Sequence, residues 1–138
     1  MRALVQRVTS ASVAVDGQVV SRIGPGMLVL LGVKRGDTEV TAEKIASKLL
    51  KLRIFGDEDG QMNEPLGERE ILCISQFTLY GDVRKGNLPS WIEAAGGEEA
   101  APLYDLVCEK LGAKKGNFGA DMKVELVNDG PVTLLLEA

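Results

Sequence analysis

The 138-residue chain contains no histidine. That excludes the Ser-His-Asp and Cys-His catalytic arrangements, His-ligated zinc, and the side chain that most often acts as general base near neutral pH. Cysteine is nearly as scarce. Cys73 and Cys108 stand alone with no C-x-x-C, too few for a structural zinc. Two reduced, buried thiols are expected, and with them a cytoplasmic setting. Long apolar runs are missing too. The longest, Met27-Leu-Val-Leu-Leu-Gly-Val33, has the length of a strand and falls far short of the ~20 residues of a membrane helix, so no membrane partner is expected. The segment MRALVQRVTSASV has no apolar h-region and no cleavage site, hence no sign of export. A surplus of one charge is also lacking. Sixteen Lys+Arg against 20 Asp+Glu leave a net −4, unlike a general polyanion binder. No metal or cofactor motif stands out, and Gly56-Asp-Glu-Asp-Gly60 spaces its acids too tightly for an EF-hand loop.

What is present fits one domain over residues 1–138, since 45% apolar and 26% charged residues are enough for a packed core. Strands are expected over Arg2–Val8 and Ala11–Val15. Asp16-Gly17 then turns the chain into Gln18–Ile23, because Asp-Gly supplies the positive φ of a tight hairpin. Gly24-Pro-Gly26 breaks the chain again, and Met27–Val33 reads as a strand apolar on both faces. Asp37 or Thr38 can cap a helix whose inward face is Ala42, Ile45, Ala46, Leu49 and Leu52. Gly56–Gly60 reads as a hairpin turn, Ile71–Tyr80 as a strand and Gly81–Pro89 as a basic loop. A second helix carries Ala100, Leu103, Tyr104, Val107 and Leu111 inward and stops at Gly112. Phe118–Val127 and Val132–Glu137 are expected as two strands joined by an Asn-Asp-Gly-Pro turn. The fold class is therefore α+β: a largely antiparallel sheet or open barrel with two packed helices.

Two features point to chemistry. Lys44, Lys48 and Lys51 share one helical face, and Arg84-Lys85 adds a basic pair; each is either a solvated surface or a phosphate contact. In Ser75-Gln-Phe-Thr-Leu-Tyr80, polar residues interrupt an apolar strand. Period-two geometry puts Gln76, Thr78 and Tyr80 on one face and Ser75, Phe77 and Leu79 on the other. Polar side chains in a buried strand either satisfy neighbouring backbone or line a pocket.

Ser75-Gln-Phe-Thr-Leu79 and Asn128-Asp-Gly-Pro-Val-Thr133 make the chain similar to the D-aminoacyl-tRNA deacylases, also called D-tyrosyl-tRNA deacylases. Arg7-Val8, Val15-Asp-Gly17, Ile23-Gly-Pro-Gly26, Leu52-Arg-Ile-Phe55, Met62-Asn63, Pro89-Ser90, Tyr104 and Gly116-Asn-Phe-Gly-Ala-Asp-Met122 follow in the family's order. The segment Asn63–Glu70 is shorter than the family's, and Trp91 stands where a phenylalanine is expected.

The resemblance implies a homodimer, with no metal or cofactor, that hydrolyses the ester joining a D-amino acid to the terminal adenosine of tRNA. It implies that Gly130-Pro131, with its peptide bond cis, enters the partner's pocket. There its carbonyl oxygens would face the substrate Cα and exclude an L side chain, while glycyl-tRNA passes. Ser75, Gln76, Phe77 and Thr78 become the catalytic candidates. Thr78 matches the position proposed as nucleophile in the family, yet no adjoining base can be named for it. The alternative is a bound water, with backbone N–H groups near Phe77 and Thr78 holding the oxyanion and the ribose 2′-hydroxyl assisting. By the same resemblance Phe77, Met122 and Asn128 are pocket candidates, although Phe77 and Met122 could equally be plain core. Lys44, Lys48, Lys51, Arg84 and Lys85 become candidate contacts for tRNA phosphates, with salt-sensitive binding as the corollary. Two other readings stay open: a non-catalytic module that holds an RNA end, and an editing domain of the type carried by threonyl-tRNA synthetases.

Overall fold

In the computed structural model, which covers residues 1–138, Arg2–Val15 is one continuous strand, β1, where the sequence pattern breaks it after Val8. Exposed Thr9 and Ser10 cause that apparent break. Here β1 carries an irregularity between Val8 and Ser10 but keeps its ladder on either side. Asp16 and Gly17, with φ of 51° and 79°, turn β1 into β2 (Gln18–Ile23), as the Asp-Gly signature predicts. Next, β3 (Gly26–Gly32) pairs antiparallel with β1 from Arg2↔Gly32 to Val8↔Gly26.

Helix α1 (Glu39–Lys51) starts at Thr38, whose N–H donates to Thr41 Oγ1 at 3.2 Å, and it buries Ala42, Ile45, Ala46 and Leu49 as its periodicity predicts. Leu52 lies at the C-cap rather than on the helix. The hairpin expected around Gly56–Gly60 is made by β4 (Phe55–Gly56) and β5 (Met62–Glu64). Asp57 Oδ1 accepts the N–H groups of Asp59 and Gln61, so its carboxylate is used by the turn itself. The chain returns as β6 (Glu70–Ser75), parallel to β3, then passes through α2 (Gly97–Leu111) to β7 (Lys114–Lys115), parallel to β6. The sheet is thus largely antiparallel, as expected, through the pairs that β1 makes with β2, β3 and the last strand, and these two parallel pairs make it mixed. Parallel neighbours need a crossover, and each of the two helices lies within one.

The last strand, β8 (Lys123–Glu137), runs antiparallel to β1 along nearly its whole length. The sheet order is β2-β1-β3-β6-β7 with β8 on β1. Ser21 Oγ donates to the Lys115 carbonyl at 2.6 Å, and Lys114 Nζ to the Arg22 carbonyl at 2.9 Å. These bonds bring β2 round to β7 and nearly close a mixed barrel.

Two apolar clusters result. The larger lies between the sheet and both helices and takes Val5, Met27, Val29 and Leu31 together with Leu49, Tyr104 and Val107. The smaller packs Val8, Ala11, Val13, Ile23, Leu28, Leu72 and Ile74. Cys73 and Cys108 are buried and reduced, as expected. No helix is long and apolar enough to cross a membrane.

Candidate active site

The strand expected over Ile71–Tyr80 stops at Ser75. Gln76 N–H makes the last bond of this edge, to the Leu31 carbonyl at 2.8 Å. The chain then curls, and Phe77–Tyr80 form a single 3₁₀ turn. Room for that turn comes from Gly32. A Cβ there would lie 3.0 Å from the Gln76 carbonyl oxygen, 3.1 Å from Leu79 Cβ and 3.3 Å from the Tyr80 ring. Arg2 holds the far end: it donates to the Leu79 carbonyl at 2.8 Å, and its guanidinium lies 4.5 Å from the centre of the Tyr80 ring. Burial, followed by the charge of Asp37, pushes the Tyr80 phenol up to about 12, so Tyr80 anchors the turn as a neutral group.

The alternating-face assignment is therefore overturned. Thr78 is exposed and Tyr80 buried, although period two puts them together. The amide of Gln76 hydrogen-bonds the Thr78 hydroxyl, and no ionisable group reaches it. The N–H groups of Phe77 and Thr78 open the turn, where no carbonyl of the turn itself can accept them.

Beside this turn lies a cavity of about 370 Å³. One wall is Ile74-Ser-Gln-Phe77, the other Phe118–Met122 with Val124, and the first turn of α2 adds Gly97 and Ala100. The cavity thus brings Ser75, Gln76, Phe77 and Met122 together. Thr78 sits next to it, outside the lining, and Asn128 lies elsewhere in the chain. Sequence reasoning missed Gly97, Ala100, Phe118 and Asp121. Small residues that leave a hollow give no periodic signal, and Phe118–Met122 were expected inside a strand that in fact begins at Lys123. Asp121 is the only ionisable side chain in the lining; it is solvent-exposed and pairs with Lys123 at 3.3 Å.

Tyr104 ties the walls together. Its hydroxyl donates to the Cys73 carbonyl at 2.7 Å, and its ring packs against Phe118 at 5.8 Å. Burial raises its phenol pKa far above the ordinary value, so the donor stays protonated. The Cys73 thiol is likewise raised, by its hydrogen bond with Cys108 and by burial, which makes it a poor nucleophile.

Asn128–Pro131 is not a hairpin turn. Gln6 faces Thr133 and Val8 faces Asn128, so β8 uses five residues where β1 uses two and the excess bulges out. Asn128 braces the base: its Oδ1 accepts the Val132 N–H at 2.8 Å, and its Nδ2 donates to Thr133 Oγ1 at 3.0 Å. Arg7 fixes the near side, donating to the Asp129 carbonyl at 2.9 Å and the Ile54 carbonyl at 2.6 Å. Gly130 and Pro131 are left exposed at the tip, joined by a cis bond. Gly130 has φ +136°, and a Cβ there would stand 2.9 Å from Val132 Cγ2 and 3.1 Å from the Arg7 guanidinium.

Lys44, Lys48 and Lys51 line an exposed face of α1 that does not border the cavity. Arg84 binds Asp82 at 2.7 Å, and Lys85 is exposed beside it.

A barrel of this topology, with a mostly apolar slot ending at free backbone amides and exposed Asp121 as its one ionisable lining residue, belongs to the deacylase class of fold. The family model described as D-Tyr-tRNA(Tyr) deacylase matches residues 4–137, and the chain belongs to that family. It is 57% identical over 145 residues to a D-aminoacyl-tRNA deacylase of Myxococcus xanthus, covering all of this chain and 95% of that one. It is 49% identical to the protein of the same name from Dechloromonas aromatica, covering all of this chain and 97% of the relative. Among solved structures, the c-Myc DNA Unwinding Element Binding Protein superposes with a TM-score of 0.94 at 44% identity, covering 100% of this chain and 99% of that one. A probable eukaryotic D-amino acid tRNA deacylase gives 0.85 at 19% identity, covering 99% and 98%; that likeness concerns the fold alone.

Proposed function

We infer that this chain hydrolyses the ester bond of D-aminoacyl-tRNA, releasing the D-amino acid and reusable tRNA, and so proofreads chirality in translation. Its family supports this reading, and the observation that carries it is the 3₁₀ turn at the cavity. The backbone N–H groups of Phe77 and Thr78 stand beside a slot large enough for a nucleoside, with Phe77 and Phe118 as aromatic walls. Bases stack readily on such walls.

The reaction is water attack on the ester carbonyl. As the tetrahedral intermediate forms, its oxyanion is held by the two N–H groups, and removing one such donor typically costs about 2.7–4 kcal/mol of transition-state stabilisation. Ser75 and Gln76 shape this end of the slot, and the hydrogen bond from Gln76 orients Thr78. With no histidine and no base within reach of Thr78, the ribose 2′-hydroxyl of the substrate positions the water.

Handedness is judged by exclusion. In a homodimer, the tip of one subunit's bulge enters the slot of the other, and the carbonyl oxygens of Gly130 and Pro131 meet the substrate Cα. They tolerate a hydrogen and clash with a side chain. A pocket that merely favours one side chain gains about 1–3 kcal/mol per methylene, whereas close-packed backbone does not yield cheaply. The hydrogen bond that Asn128 Oδ1 accepts from the Val132 N–H and the one Arg7 donates to the Asp129 carbonyl keep that backbone stiff. Exposed Val127, Leu134 and Leu135 along β8 are the surface such a partner covers. Lys44, Lys48, Lys51, Arg84 and Lys85 are the basic groups available to tRNA phosphates, and the reaction takes place in the cytoplasm.

The test is deacylation of D-tyrosyl-, L-tyrosyl- and glycyl-tRNA by the purified protein. D-tyrosyl-tRNA is turned over, glycyl-tRNA is hydrolysed measurably because it carries no side chain to clash, and L-tyrosyl-tRNA survives. Robust turnover of the L-ester would overturn the exclusion model; inertness towards all three would leave only an RNA-end-binding module.

A further inference from the structure

The segment between the catalytic turn and α2 is unusually apolar for a surface loop. Leu88 is 88% exposed, Ile92 76%, Val83 60% and Trp91 40%. Four large apolar side chains open to water within ten residues call for an explanation, because contiguous exposed apolar surface marks a contact site.

The loop is also well defined. Asp82 and Ser90 exchange both backbone hydrogen bonds, at 2.9 and 2.8 Å, and the Asp82 carboxylate takes the Arg84 guanidinium and N–H. Both feet of the loop stand in the cavity wall: Phe77 on one side, Ala95 and Gly97 on the other. The Trp91 ring meets the Phe77 ring edge-on at 5.1 Å. The apolar loop surface is therefore continuous with the lining of the slot.

We propose that residues 81–94 form a ledge on which the unpaired nucleotides preceding the terminal adenosine of the tRNA lie, their bases against Trp91, Ile92 and Leu88 and their backbone past Lys85. This rests on the reading that the slot takes an RNA terminus. A polynucleotide whose last nucleoside fills the slot has to leave across its rim, and this loop stands on that rim. Bases need only flat or aliphatic surface, whatever their sequence, and a protein of net charge −4 gains by contact what it lacks in basic surplus. Arg84 and Lys85 sit among the apolar residues, the pairing of charge and stacking surface found where single strands are held.

The test uses the Leu88→Ser/Ile92→Ser double variant, whose replaced side chains are exposed. Two substrates are compared, D-tyrosyl-tRNA and the D-tyrosyl ester of adenosine alone. On the full tRNA, kcat/KM falls by about ten-fold, mostly through KM, the loss expected for a stacking contact. On the adenosine ester it is unchanged, and the sedimentation behaviour stays that of the wild type. Equal losses on both substrates, no loss on either, or dissociation of the variant into smaller species would overturn the ledge; the last would mean that a second copy covers the loop. Trp91, the only tryptophan, gives a readout independent of hydrolysis. Its fluorescence is quenched when wild type is titrated with the trinucleotide CCA, and less so in the double variant. Quenching by a protein inert on D-aminoacyl-tRNA keeps the ledge and removes the deacylase reading. Hydrolysis without quenching removes the ledge alone.

Discussion

Thr78 shows how little a residue's identity says without its surroundings. A threonine beside a catalytic loop invites a nucleophile assignment, yet its hydroxyl is bonded to the Gln76 amide, which cannot take a proton from it at neutral pH. In the proposed mechanism, backbone donors and the substrate's own hydroxyl carry the chemistry instead. Thr78→Ala should therefore keep its single-turnover rate within about ten-fold, since the N–H of residue 78 survives the substitution. A substrate ending in 2′-deoxyadenosine should lose about 100-fold or more, the size of a positioned proton-transfer contribution. Rapid-quench measurement of both pairs checks this. A dead Thr78→Ala with an active deoxy substrate would reverse the assignment.

At the scale of elements, the 3₁₀ turn is a consequence of its neighbours. Its path depends on Gly32 in β3 and Arg2 in β1, both distant in sequence. Gly32→Ala places a methyl 3.0–3.3 Å from three groups of the turn. Overpacking of that kind costs about 1–3 kcal/mol, and a shift of about 1 Å in a catalytic group costs about 100-fold in rate. The expected result is a kcat lower by one to two orders of magnitude with little change in KM, read from steady-state kinetics. A lower Tm with unaltered kcat would mean that the turn absorbs the methyl. The loop that follows is stabilised by charge. Hydrogen bonds from the Arg84 side chain, then from its backbone, hold the Asp82 carboxyl at about 2, below the ordinary aspartate range. The folded value lies below the free one, so the pairing stabilises the loop above about pH 4 and is lost as the pH falls through about 2. Trp91 fluorescence should stay flat from neutrality to about pH 4 and change below it, and in Arg84→Ala the change should begin at higher pH.

These same elements show what the sequence can and cannot disclose. Both helices and the Asp-Gly hairpin are legible because their signals are local: Ala42, Ile45, Ala46 and Leu49 recur with the helical period and all are buried. The long strands are not, because Thr9-Ser10 and Asn128–Pro131 look like interruptions until β1 and β8 are laid side by side and each irregularity lies inside a continuing ladder. Gln76 could be singled out as a polar exception in an apolar strand, and Phe77 and Met122 through the resemblance to the deacylase family. Gly97 and Ala100 contribute only empty space to the cavity, and residue type alone does not reveal that.

For the whole molecule the decisive matter is whether, in the proposed homodimer, the bulge of one subunit guards the slot of the other. Within one chain, Gly130 and Pro131 are not part of the cavity lining. A guard acting in trans makes the two functions separable between subunits. Consider one variant lacking Gly130 and Pro131, and another whose slot is filled by Ala100→Trp. Alone, the first should hydrolyse L-tyrosyl-tRNA as well as the D-ester, and the second should hydrolyse neither. When the first is dissociated and reassembled with excess of the second, most open slots face an intact bulge contributed by a blocked partner. Turnover of the L-ester should then fall away while D-ester turnover persists, because the oxyanion donors and the guard come from different chains. Each substrate is followed separately as the mixing ratio rises. If the L-activity per open slot stays constant, the guard belongs to its own slot and the arrangement in trans is wrong.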